Sequence, residues 1–274
     1  MKIYVMTDLE GVAGVTNFDD WCGPSGRYYE AGKELLTREV NAAIEGFFAG
    51  GATEIVVADG HGYGGVNGLL LDPRAELMRG WPTGYPLLLD STYDALAFVG
   101  QHAKAGTPLA HLAHTQSFHY LDLTINGVSI GEFGQVAMCA SELGVRTILL
   151  TGDHAATLEA QALVPGIETA EVKRGTTPGQ GDELPHDAYG RRNLGAIHLH
   201  PERARSAIRA AAERAVRRMA TEEFGLIPLK PPYERVARFR SDADRPATIA
   251  RETHPTSVIA LLNLPYDRRP AGQG

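Results

Sequence analysis

Between Lys2 and Asp153 the chain alternates short apolar runs with longer segments of helical spacing. Residues 2–7 (KIYVMT) and 54–58 (EIVVA) are rich in β-branched residues and stop at acidic residues or glycine, as buried strands do. Residues 95–100 repeat the pattern, and residues 146–151 repeat it again. Between the first two runs, Leu35, Leu36, Val40, Ile44, Phe47 and Phe48 recur near helical spacing. Residues 30–49 are therefore expected to form a helix that Gly50-Gly51 ends. Further helices are expected over 132–143 and after Asp153. Strands separated by helices imply a largely parallel sheet covered on both faces. Asn126-Gly127, inside residues 120–130, signals a hairpin. That hairpin is expected to give the sheet an antiparallel member and make it mixed. The expected fold class is α/β: a central, mostly parallel mixed sheet with helices on both faces, plus a smaller C-terminal α+β part.

Length and composition set outer limits. The 274 residues, 43% hydrophobic and 22% charged, suffice for one large α/β domain or a domain with a smaller partner. Such apolar content at modest charge excludes general disorder. No run reaches the ~18 uninterrupted apolar residues that suggest a membrane span. The opening MKIYVMTDLEG holds no apolar stretch of signal-peptide length. Cys22 and Cys139 are too few for a disulfide framework and are expected to be ordinary buried thiols in a reducing cytoplasm. A net charge of −7 argues against a nucleic-acid partner, whose binding rests on phosphate neutralisation.

Charge is divided unevenly. Residues 1–195 carry 12 Lys and Arg against 24 Asp and Glu, while residues 196–274 carry 14 against 9. This asymmetry suggests a boundary near residue 195, between an α/β metal-site domain (1–195) and a smaller helical and strand region (196–274). The basic end reads either as a docking surface or as a helix face leaning on an acidic neighbour, the more ordinary reading. Pro201 opens a helix over 201–220, and Pro228, Pro231 and Pro232 break the chain before a strand at 235–240. The last ten residues are expected to be a frayed tail.

Ionisable residues cluster at the ends of the expected strands. In open α/β sheets, ligands bind outside the carboxyl ends of the strands. Asp8 and Glu10 follow the first run, Asp59 and His61 the second, His102 the third, and Glu132 the second arm of the hairpin. Carboxylates mixed with imidazoles suit zinc and related divalent metals, and no cysteine neighbours the set. Asp8 and Glu10 share a face if the chain stays extended, which makes Asp8 a natural bridge between two cations. Singly, each has an ordinary explanation: a turn or helix cap for Asp8, a surface loop for His61, a helix dipole for Glu132. Their joint placement points to a site. Residues 102–119 carry four histidines, His102, His111, His114 and His119, a reservoir of general acids and bases. His119, between Phe118 and Tyr120, reads as structural. His198 and His200 have no carboxylate nearby in sequence and read as unconnected with metal. The G-H-G-Y-G-G of residues 60–65 matches neither a dinucleotide fingerprint nor a P-loop, and no G-x-S-x-G is present.

Six motifs in order carry a family likeness: TDLEG (7–11), DGH (59–61), GQHA (100–103), AHT (113–115), NGVSIGEFG (126–134) and TGD (151–153). The chain resembles the M55 family of metallopeptidases, whose founding member is a bacterial D-aminopeptidase. The likeness covers residues 1–195 and continues weakly into 201–220 and 231–233. It implies two zinc ions held by Asp8, Glu10, His61, His102 and Glu132, with His114 as catalytic histidine. The stretch between His102 and His114 is one residue longer than the family pattern, so His111 stays an alternative; the AHT context favours His114. Asp59, Asn67 and Asp153 are candidates for orienting the ligands. The resemblance further implies hydrolysis of the N-terminal residue from short peptides, D-alanine-containing ones above all. It also implies a ring-shaped homo-oligomer such as a decamer. The family's closing strand and long helix find no match after Leu264-Pro265, which leaves the oligomer number open. Two rival readings stand: a dinuclear hydrolase for another small amide or phosphoester, and a non-catalytic oligomeric peptide-binding protein. Lys104 is the main cation near the motif loops that could hold a phosphate.

Overall fold

In the computed structural model, which describes residues 1–81 and 83–272, each apolar run named above is a strand. The elements begin β1 (Lys2–Thr7), α1 (Phe18–Trp21), α2 (Tyr29–Gly50), β2 (Glu54–Asp59), β3 (Glu76–Met78) and β4 (Ala95–Gln101). Then come β5 (Tyr120–Ile125), β6 (Val128–Ser129), α3 (Glu132–Glu142), β7 (Arg146–Asp153), α4 (His154–Leu163), β8 (Glu168–Gly175) and α5 (His186–Gly190). The chain continues through β9 (Ala196–His198), α6 (Pro201–Met219), β10 (Tyr233–Phe239), β11 (Thr248–His254), α7 (Val258–Leu262) and β12 (Arg269–Pro270).

Seven strands form the main sheet in the order β3-β2-β1-β4-β7-β8-β9, parallel except for β9. Period-two alternation builds a core on each face. Ile3, Val5, Ala95, Ala97 and Val99 pack with α2 and α6 on one side. Tyr4, Met6, Leu96 and Phe98 pack with α3 and α4 on the other. Helices do cover both faces. On one of them α6 lies so close to α2 that a Cβ on Gly46 would overlap the Arg209 carbonyl. The basic face of α6 leans on acidic neighbours, with Arg214 and Arg218 both paired to Glu168.

Two expectations need correction. The antiparallel member of the main sheet is β9, not the hairpin. The β5–β6 hairpin instead belongs to a second, antiparallel sheet, β12-β11-β10-β5-β6, formed with the C-terminal strands. A two-residue second arm leaves a lone hairpin marginal, and β10 supplies the missing partner along β5. Nor are the final residues frayed. Arg269 and Pro270 pair with β11, and the Arg268 guanidinium lies 3.6 Å from the Phe239 ring centre. Residues 273–274 of that segment lie outside the described residues.

The winding reverses between β1 and β4. From β1 the chain builds β2 and β3 to one side, then crosses to β4 and builds β7 and β8 on the other. Crevices at such reversals are where open α/β sheets bind ligands.

Candidate metal centre

Asp8, His61 and His102 follow three adjacent parallel strands, β1, β2 and β4. The chain does not stay extended after Thr7, as the sharing of a face by Asp8 and Glu10 had required. The Asp8 N–H still continues the β1–β4 ladder to the Val99 carbonyl at 2.9 Å, and the Val12 N–H then closes a turn on the Leu9 carbonyl at 3.2 Å. Gly100 (φ +80) makes this turn possible, because a side chain there would strike the Asp8 carbonyl. The turn still aims both carboxylates at one imidazole. His61 Nδ1 lies 3.3 Å from Asp8 Oδ1 and 3.2 Å from Glu10 Oε2. Its other nitrogen donates to the Cys22 carbonyl at 2.7 Å.

His102 repeats the arrangement. Its Nδ1–H donates to the Ala103 carbonyl at 2.9 Å, while Nε2 lies 3.1 Å from Asp8 Oδ2 and 3.4 Å from Glu132 Oε1. Glu132 arrives by a different route, as the first residue of α3 after the second-sheet hairpin. The His114 ring stacks on His102 with centroids 4.0 Å apart, its Nδ1–H donating to the Leu112 carbonyl at 2.8 Å. His114 Nε2 is 3.8 Å from Glu132 Oε1. Two ligand groups result, Asp8–Glu10–His61 and His102–His114–Glu132, each with donor atoms within 4.8 Å of one another. Asp8 touches both, one oxygen toward each histidine.

This donor set fits divalent cations. Each backbone carbonyl takes the proton of one ring nitrogen, so the other presents a lone pair to two carboxylates, an orientation typical of ligating histidine. Glu10 Oε2 and His102 Nε2 are buried without a hydrogen-bond partner. Without a cation, protons must fill the gap. Burial would lower the His61 pKa, but Glu10 and Asp8 outweigh it and push it up to about 12. His102 is raised well above its ordinary value against the same burial by Glu132 and Asp8. Burial opposes ionisation of Asp8, yet the imidazoles of His102 and His61 facing it hold its carboxyl well below the usual range. His114 goes the other way: burial, then the neighbouring His102, lower its pKa.

The remaining candidates lie elsewhere. His111 meets the Thr16 carbonyl at 3.1 Å and the His198 ring, apart from both groups, and burial with Lys173 nearby pulls it down to about 3. His119 stacks on His186 at 3.7 Å. His198 accepts the Gly14 N–H, and His200 caps α6. Asp59 accepts the Gly65 N–H at 2.8 Å, Asn67 accepts the Leu69 N–H, and Asp153 caps α4. Lys104 donates its backbone N–H to Glu159. Cys22 and Cys139 are free and buried, as expected.

The model of the peptidase M55 family, described as D-aminopeptidase, matches residues 1–253. The chain belongs to the M55 family. It is 34% identical over 179 residues to a D-aminopeptidase of Bacillus subtilis (strain 168). That match covers 64% of each protein, so the chain spans just under two thirds of the relative's length. Among solved structures it is similar to the Zn-dependent D-aminopeptidase DppA from Bacillus subtilis, described as a self-compartmentalizing protease. That likeness has a TM-score of 0.77 at 24% identity over 96% of this chain and 95% of the other, and it carries the fold.

Around the centre, this M55 chain uses residues its sequence did not mark. Gln116, at φ 60, donates its N–H to Glu132 Oε1 at 2.7 Å and its side-chain amide to Gln135. Lys173, wholly buried on β8, donates to the Val12 and Val15 carbonyls at 3.1 and 3.2 Å and so pins the segment after Glu10. Burial draws its pKa down to about 8. Glu39 on α2 accepts the Ala13 N–H at 3.0 Å from the same segment, and burial pushes its carboxyl up to about 8.

The Glu39 shift sets a pH dependence. Between its ordinary 4.5 and about 8, the folded protein keeps a proton that the unfolded chain has released. Its contribution to stability therefore falls as pH rises through that window. Urea midpoints measured at about pH 5 and about pH 8 should differ less in Glu39→Gln than in the unaltered protein.

Proposed function

We propose that this chain is a zinc-dependent aminopeptidase that removes the N-terminal residue from short peptides, those beginning with D-alanine included. One zinc ion would be held by Asp8, Glu10 and His61 and a second by His102 and Glu132, the Asp8 carboxylate being within reach of both groups. The observation that carries this is the paired orientation of His61 and His102, each with one N–H on a carbonyl and its other nitrogen before two carboxylates. Zinc bound by these residues supplies a Lewis acid for the scissile carbonyl and lowers the pKa of water.

The chain's own groups do the rest. His114, its tautomer fixed by the Leu112 carbonyl, offers Nε2 to take a proton from water and return it to the leaving amine. Phe118 packs against the His114 ring at 4.9 Å and shields it from bulk water. Arg79, beside the His61 loop, is occupied by the carbonyls of Asp59, His61 and Gly62, which favours an uncharged amide over a phosphoester. A homo-oligomeric ring, a decamer in the fullest form of the proposal, is supported by the self-compartmentalizing description of the similar structure. A cytoplasmic setting belongs to the same proposal. No described helix is long and apolar enough to cross a membrane.

Zinc added to metal-free protein tests this. At neutral pH the raised His61 and His102 hold protons that must leave before these nitrogens can ligate. Calorimetry in buffers of different ionisation enthalpy should therefore register two ions per chain, proton release, and affinity that rises with pH. The loaded protein should cleave D-alanyl dipeptides, lose that activity to a chelator, and leave a generic phosphoester intact. Cleavage of the phosphoester alone overturns the proposal.

A further inference from the structure

A cavity of about 220 Å³ opens beside the metal centre, with Asp8 and Glu132 on its wall. The rest of its described lining sets Phe98 from β4, Val136 from α3, and Trp81 and Leu87 from the segment between β3 and β4 beside the uncharged polar side chains of Thr7, Gln101 and Gln116. Residues 85–87 of that segment are held in place. Leu87 sits in the left-handed region at φ 61, and the Tyr4 hydroxyl donates to its carbonyl at 2.6 Å. The Asn263 side-chain amide donates to the Tyr85 carbonyl at 2.8 Å. A strained residue secured from both sides makes a fixed wall.

We infer that this cavity receives the side chain of the substrate's N-terminal residue and selects apolar side chains of leucine or phenylalanine size. The inference rests on the aminopeptidase reading above. The carbonyl to be cleaved must lie against the carboxylate–imidazole groups, and the N-terminal side chain branches from the carbon bonded to that carbonyl. It therefore starts next to Asp8 and Glu132, where the cavity begins. The next residue's side chain starts on the far side of the scissile nitrogen, further from that edge.

Size and chemistry name the occupant. An apolar cavity of ~150 Å³ accommodates benzene, so this one holds a leucyl or phenyl group. Pockets for larger ligands start near ~300 Å³, so it does not take a whole peptide. Alanine underfills it. The only charged groups in the described lining are Asp8 and Glu132, both assigned to zinc, so a lysyl ammonium would lose its water with no free countercharge.

Amino-acid amides isolate this choice, because only the N-terminal side chain varies. The zinc-loaded protein is assayed with the amides of glycine, alanine, leucine, phenylalanine and lysine, in both enantiomers where they exist. Leucine and phenylalanine amides of the accepted hand should exceed glycine amide in kcat/KM by about 10- to 200-fold, with lysine amide no better than glycine. Val136→Phe, which fills the cavity, should cut the leucine-to-glycine ratio at least ~10-fold. If that variant does not fold, Trp81→Ala at the half-buried rim should shift preference from leucine toward phenylalanine. Hydrolysis without side-chain preference, or a preference that Trp81→Ala leaves unmoved, overturns the cavity assignment while the proposed activity stands. Failure to cleave any amide or any D-alanyl peptide overturns both.

Discussion

Asp8→Ala is expected to abolish peptide hydrolysis and to weaken zinc at both positions together. Each Asp8 oxygen faces a different histidine, Oδ1 toward His61 at 3.3 Å and Oδ2 toward His102 at 3.1 Å. Removing the carboxylate leaves Glu10 alone before His61, and Glu132 alone before the edge of His102. Residues that merely orient a ligand cost ~10–100-fold in metal affinity when replaced. A carboxylate serving two cations should cost more than that at each. Glu10→Ala is the contrast, because Glu10 approaches only His61 and should weaken one zinc ion and spare the other. Metal content after dialysis against graded chelator, read beside kcat/KM, separates the two variants. If Asp8→Ala keeps both ions at unaltered affinity, Asp8 does not bridge.

The centre's residues were visible in the sequence because each stands next to a recognisable element end. Asp8 follows a β-branched run, His61 comes two residues after Asp59, and His102 follows Gln101 directly. Local pattern is enough for that. It was not enough for the path of the chain between them. The turn after Asp8 depends on the close approach of Gly100 and on its carbonyl, which accepts the Gly11 N–H, a long-range fit that no window of sequence encodes. The hairpin was legible from Asn126-Gly127, but its sheet was not, because its partner β10 lies more than a hundred residues on. β9 has only three residues, too few for any periodicity to register. Lys173 reads as an ordinary strand residue until its partners, Val12 and Val15, come in from across the fold. Gln116 has no motif value; only its left-handed backbone and its bond to Glu132 mark it.

His114→Ala should lower kcat by ~10²–10⁴-fold, the usual worth of a general acid–base group, with KM little altered. Geometry leaves two roles open to its Nε2, since His114 forms a ligand group with His102 and Glu132 as well as facing the centre with a free lone pair. The variant separates them. If His114 is a proton carrier, the variant keeps two zinc ions per chain and loses the acidic arm of the rate–pH profile that His114 protonation sets. A ligand takes one ion away with it. His111 supplies the control: it points at the Thr16 carbonyl, outside both groups, so His111→Gln should leave metal content intact and kcat within a few-fold. A large loss of kcat in His111→Gln with metal retained would move the catalytic role to that residue. Full activity in His114→Ala would assign the proton to another group, whereas an unaltered zinc-loaded protein that binds peptide without cleaving it would put the peptide-binding alternative first.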